Sequence, residues 1–121
     1  MKLKLTQLVN CQPALNKITE KELPANLAYK ISKISQIIRA ELIRIDEVRS
    51  NLIRKLGAPI PEQDGRWRVS PENEPAFHTE MEKLLAEETD INITQIKLKD
   101  LGDLKFSPQD MSQIDFIFED N

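Results

Sequence analysis

Residues 24–57 read PANLAYKISKISQIIRAELIRIDEVRSNLIRKLG, and nothing between the opening proline and the closing glycine is Gly or Pro. Pro24 suits a first helical position, where its missing N–H has no partner to lose, and Gly57 followed by Pro59 is a stop signal. The stretch predicts one helix of about 33 residues, roughly 50 Å long at 1.5 Å per residue. Its apolar positions are Leu27, Ile31, Ile34, Ile38, Ile45, Val48 and Leu52, spaced alternately by four and three, with Glu41 in the remaining slot. That is a heptad seam. Ala28, Leu42 and Leu56 widen the stripe on one side, while Ile37 and Ile53 lie off it. A lone helix cannot bury such a surface, so the rest of the chain or a second copy must cover it.

Before this rod, Lys2 to Leu5 alternates polar and apolar and reads as a short strand. Thr6 is placed to cap a first helix carrying Leu8, Val9, Cys11, Leu15 and Ile18, which Pro13 should bend or split. After it, residues 58–65 read as a loop ending in an Asp-Gly turn. Arg66–Val69 alternates and predicts a half-buried strand with Trp67 and Val69 toward the core. Ser70–Pro71 opens a third helix, irregular at Pro75, with Phe77, Met81, Leu84 and Leu85 on its apolar face and an end near Glu88. Residues 91–98 change apolar phase between Ile93 and Ile96, which predicts one bent strand. Ser107-Pro108-Gln109-Asp110 opens a short last helix with Met111, Ile114, Ile117 and Phe118 inward.

The predicted class is α+β, mostly helical: a long antiparallel helical hairpin packed with a small β element and two shorter helices. One domain spans 1–121, made of a basic hairpin (1–57), a loop (58–65) and an acidic strand–helix–strand–helix part (66–121). The strands at 66–69 and 91–98 pair with each other or with residues 2–5.

Charge follows that division. Residues 1–57 carry 11 Lys or Arg against 5 Asp or Glu, and residues 58–121 carry 6 against 15, so a net charge of −3 conceals a polarity of about +6 and −9. Folding one half onto the other absorbs this, or a partner meets it. No apolar run reaches the length of about 20 residues that a membrane helix needs, and the start lacks a signal-peptide pattern, so a cytoplasmic protein is expected.

Several chemistries are disfavoured. One Cys and one His, 67 positions apart and outside any nucleophile motif, argue against a catalytic dyad. Cys11 reads as a small core residue and His78 as a solvated one. Three scattered glycines provide no phosphate loop, and the acids match no calcium-loop spacing, so neither cofactor nor metal is expected. Arg39, Arg44, Arg49 and Arg54 recur every fifth residue and spiral round the helix, stepping about 140° each time. This argues against direct nucleic-acid binding and for ion pairs such as Glu41 with Arg44 and Asp46 with Arg49. Glu41 either meets a partner's polar group on the seam or sits at its edge beside Leu42.

Leu23-Pro24, Ala28-Tyr29-Lys30, Glu41-Leu42 with Glu47 and Arg49, Lys55-x-Gly57, Val69-Ser70-Pro71-Glu72-Asn73 with Phe77, Leu84–Glu88, and Ile96-x-Leu98 with Ser107 and Asp110 span most of the chain. In this pattern it resembles small uncharacterised proteins of tailed phages and prophages, with Pro13 as a departure from their uninterrupted first helix. The resemblance implies a phage origin and contains no catalytic signature. The expected function is a non-enzymatic interaction protein, a homodimer that binds a host or phage protein through Glu41, Arg44, Arg49 and Trp67 and through the acidic residues Glu80, Glu87 and Glu88. One version inhibits a host defence or nucleic-acid enzyme; the other assists virion assembly. The rival is a binder of a small anion such as a nucleotide, in a pocket that Arg44, Arg49 and Trp67 line at an oligomer interface.

Overall fold

The computed structural model describes residues 1–119, so the last two residues of the 66–121 part lie outside it. The elements run β1 (Lys2–Lys4), α1 (Leu5–Asn10), α2 (Gln12–Thr19), α3 (Ala25–Leu56), β2 (Gly57–Pro59), β3 (Trp67–Val69), α4 (Glu74–Ala86), β4 (Glu88–Asp90) and α5 (Pro108–Ile114), with single 3₁₀ turns at Pro71–Asn73, Leu98–Leu101 and Asp115–Ile117. The class is the α+β, mostly helical one that the sequence predicts.

The first helix is split, as Pro13 requires. Cys11 ends α1 and begins α2, and Pro13, lacking an N–H, falls in the first turn of the second piece. The Cys11 thiol donates to the Leu8 carbonyl at 3.0 Å, satisfying an acceptor at the break. Thr6 does not cap α1. The strand runs straight into the helix at Lys4, whose backbone N–H donates to Gln7 Oε1 at 2.9 Å, so Thr6 is already inside the first turn.

Both halves of this split helix pack along α3, which is unbroken over 32 residues. Leu27, Ile31, Ile34, Ile38 and Ile45 are buried along its seam. They join Leu8, Cys11, Leu15 and Ile18 from α1 and α2, and Ile91, Ile96, Leu101, Ile114, Ile117 and Phe118 from the carboxy-terminal part, in one apolar cluster. Lys17 reaches from α2 to Asp110 on α5, tying the basic half to the acidic one.

The β structure departs from the prediction in its pairing. β1 pairs antiparallel with β4, Lys2 opposite Asp90 and Lys4 opposite Glu88. The third helix therefore stops at Ala86, and residues 87–90 join the ladder, in which Leu5 N–H also donates to the Glu87 carbonyl. Residues 91–98 form no strand. They wrap the core irregularly, with Ile91 and Ile96 buried and one parallel bridge from Ile96 to Phe118. Nor is 58–65 wholly loop. Gly57–Pro59 pairs with Trp67–Val69 as a hairpin folded against the end of α3. There the Asn73 side chain and the Ser70 N–H both donate to the Leu56 carbonyl, an acceptor the helix leaves open.

Candidate functional site

The distal half of α3 is where the chain's cover thins. The seam is buried as far as Ile45, but Val48 is 42% exposed and Leu52 is half-buried. At 100° per residue, Glu41, Val48 and Leu52 lie within roughly 40° of one another on one flank. α4 packs instead on the neighbouring flank, where Met81 and Leu85 face Leu42, Ile45 and Arg49. The hairpin covers a third flank, where Trp67 lines a shallow hollow with Ser50, Ile53 and Arg54.

Glu41 is half-buried at the seam's edge and takes an ion pair from Arg44 one turn on, at 3.5 Å. The carboxylate keeps a fifth of its surface exposed and Arg44 about three quarters, so the pair is shielded from one side only. Exposed i,i+3 pairs of this kind contribute little to stability, on the order of a few tenths of a kcal/mol. Among the described residues Asp46 and Arg49 form no corresponding pair.

Trp67 is not the core residue that strand alternation predicts. Its strand is one edge of a two-stranded hairpin that packs only on the end of α3, and the residue stays 36% exposed. Within one chain, then, Arg44, Arg49 and Trp67 face three different sides of α3 and do not converge on one pocket. Glu80 is exposed and pairs with Lys83 at 3.9 Å. Glu87 and Glu88 are exposed, Glu88 standing opposite Lys4 in the ladder.

A cavity that sequence reasoning missed lies at the other end of α3. It measures about 620 Å³ between the first three turns of the helix and residues 92–94. Lys30 and Lys33 are spaced to share a helix face, but nothing in the sequence places residues 92–94 opposite them.

The sole cysteine, Cys11, is fully buried, and its removal from water pushes the thiol up to about 11 from the usual 9.0. Such a thiol is protonated and inert at neutral pH. Among the described residues no three or more His, Cys, Asp or Glu side chains converge to hold a metal ion, and no helix is long and apolar enough to cross a membrane. Compared with protein-family models, with curated proteins and with solved structures, the chain matches none.

Proposed function

We propose that this chain is a non-enzymatic interaction protein of the phage type that its sequence resembles, cytoplasmic in the host, acting on a host or phage protein as a homodimer joined along the Glu41–Leu52 flank of α3. The observation that carries this reading is the exposure of Val48 in line with a seam that is otherwise buried. A single exposed valine is ordinary. Here it continues a heptad row and lies between half-buried Leu52 and the half-shielded Glu41 carboxylate, which is how a helix face waiting for a second helix is composed.

Charge selects a second copy as the occupant. A two-fold axis passing between residues 42 and 43 runs two α3 helices antiparallel, with Glu41 opposite Arg44 of the partner subunit and Val48 opposite Ile37 of the partner subunit. The contact is isologous, and each carboxylate gains a second cation. Glu80, Glu87 and Glu88 remain outward for the target, which favours inhibition of a nucleic-acid enzyme that weakens as salt rises.

Light scattering over a concentration series tests the dimer. The wild type should approach twice the mass of one chain, and Val48→Glu should return it to a single-chain mass. Ile43→Glu, on the opposite side of the helix, should leave it dimeric. Glu41→Arg should weaken the dimer, and adding Arg44→Glu should restore it. A wild type of single-chain mass at about 100 μM, or a Val48→Glu variant that stays dimeric, overturns the proposal.

A further inference from the structure

We infer that the cavity between the amino-terminal third of α3 and residues 92–94 is a binding site for a phosphate monoester carrying an apolar or aromatic body. Its volume of about 620 Å³ falls in the range of small-molecule pockets, roughly 300–1,000 Å³. Its lining has two chemical parts. The floor is aliphatic, made by Ile34, Ile37 and Ile93, of which Ile34 belongs to the buried core. The rim carries Lys30 and Lys33 together with the hydrogen-bonding side chains Asn26, Asn92 and Thr94.

Among the described residues no carboxylate lines the cavity. Among the described residues neither lysine has an acid within 4.0 Å, although the chain as a whole is net negative. The Lys33 ammonium sits 5.6 Å from the centre of the Tyr29 ring, which also lines the cavity, so this charge is held at the mouth. Two point charges beside amide and hydroxyl donors suit a phosphate monoester, which carries about −1.5 to −2 at neutral pH. The isoleucine floor then takes whatever the phosphate is attached to. A nucleoside monophosphate and a lipid-like alkyl phosphate share this chemistry.

Calorimetric titration of the full chain with adenosine monophosphate, octyl phosphate and inorganic phosphate tests the site. At least one of the two esters should bind with a dissociation constant below about 100 μM, and inorganic phosphate at least 100-fold more weakly. Binding by the nucleotide alone identifies that source, and binding by the alkyl ester alone identifies the other. Along a butyl, hexyl, octyl series each methylene that is buried should strengthen binding about fourfold. Lys30→Gln with Lys33→Gln should weaken binding at least tenfold; both side chains are exposed, so the variant keeps its fold. Failure of both esters to bind at 1 mM, or binding that survives loss of both lysines, overturns the inference. In the proposed dimer Ile37, which lines the cavity, stands opposite Val48 of the partner subunit, so the titration is repeated on Val48→Glu, whose single chain should still bind the esters; loss of dimer and loss of ligand are then read separately.

Discussion

Replacing Gly57 by alanine tests how the hairpin closes the end of α3. Gly57 lies in extended backbone, φ −131° and ψ −167°, which any residue adopts, so torsional freedom is not why glycine is needed. Space is. A Cβ at this position falls 1.9 Å from the Arg68 carbonyl oxygen and 2.6 Å from that of Ile53, where real Cβ atoms keep at least 3.0 Å. Both obstacles are backbone, one in β3 and one in the last turns of α3, so no rotamer change relieves the clash. The strand must move away by about 1 Å, and the Gly57–Val69 pairing and the Ser70 N–H bond to the Leu56 carbonyl go with it.

Overpacking costs about 1–3 kcal/mol, and each lost hydrogen bond about 1 kcal/mol net. The expected penalty is therefore about 2–4 kcal/mol, against a total stability of about 5–15 kcal/mol for a domain. The measured loss is capped by the free energy that docks the hairpin, because beyond it residues 57–69 detach while the core stays folded. Trp67 is the only tryptophan and sits on that hairpin. Gly57→Ala should shift its emission to the red and raise its quenching by acrylamide in the absence of denaturant, with the helical circular dichroism nearly unchanged. Wild-type Trp67 emission together with an unfolding free energy in urea within about 0.5 kcal/mol of wild type would refute the steric account.

Four further outcomes follow from the packing and the titrating groups. Leu8→Ala, which removes a fully buried side chain from between α1 and α3, should cost about 2–5 kcal/mol in urea denaturation. Ser107→Ala removes the side-chain acceptor for the Asp110 N–H at the start of α5 and should cost about 1 kcal/mol, read as a lower thermal midpoint. The Lys17 ammonium, then the Ser107 backbone N–H, hold the Asp110 carboxyl below the usual carboxylate range, so its stabilisation is present above about pH 4 and lost as the pH falls. The stability gap between wild type and Asp110→Asn should accordingly close on acidification. Cys11 carries the opposite sign. Its folded-state value is raised, so its contribution is complete below about pH 9 and fades toward pH 11, and a thiol reagent at pH 8 should label it only as denaturant unfolds the chain.

What the sequence revealed and what it hid divide along one line. Pro24, Gly57 and the uninterrupted residues between them fix both ends of α3 because helix limits are set within a turn or two by residues that either can or cannot continue the hydrogen-bond ladder. The same holds for Pro13, which splits the first helix, and for Ser107 and Asp110, which make a reciprocal cap. Partners far along the chain were not legible. Residues 91–98 have a strand's composition, but the strand that pairs with β1 is Glu88–Asp90, and composition does not say which residues reach that edge. Trp67 alternates as a core residue does, yet alternation shows only that one face differs from the other, not how much of that face the neighbouring helix covers. The seam of α3 reads evenly to Leu52, but cover depends on where α4 lies, and α4 sits one flank over.

The charge polarity of the chain is resolved unevenly along the fold. The first 20 residues meet the acidic half directly: Lys2 opposite Asp90, Lys4 opposite Glu88, and Lys17 on Asp110. Along α3 the compensation is sparser. Of its lysines and arginines, only Arg44 has an acid within 4.0 Å among the described residues, and that acid is on the same helix. Among the described residues ion pairs are not spread along this longest element, which carries seven of the chain's seventeen lysines and arginines. Instead the cations of α3 stand beside uncovered apolar surface at two places, Lys30 and Lys33 over the isoleucine floor and Arg44 beside Val48. The proposed ligand and the proposed second copy would each meet apolar area joined to positive charge, a combination that gives both affinity and selectivity, at places more than ten residues apart on one helix.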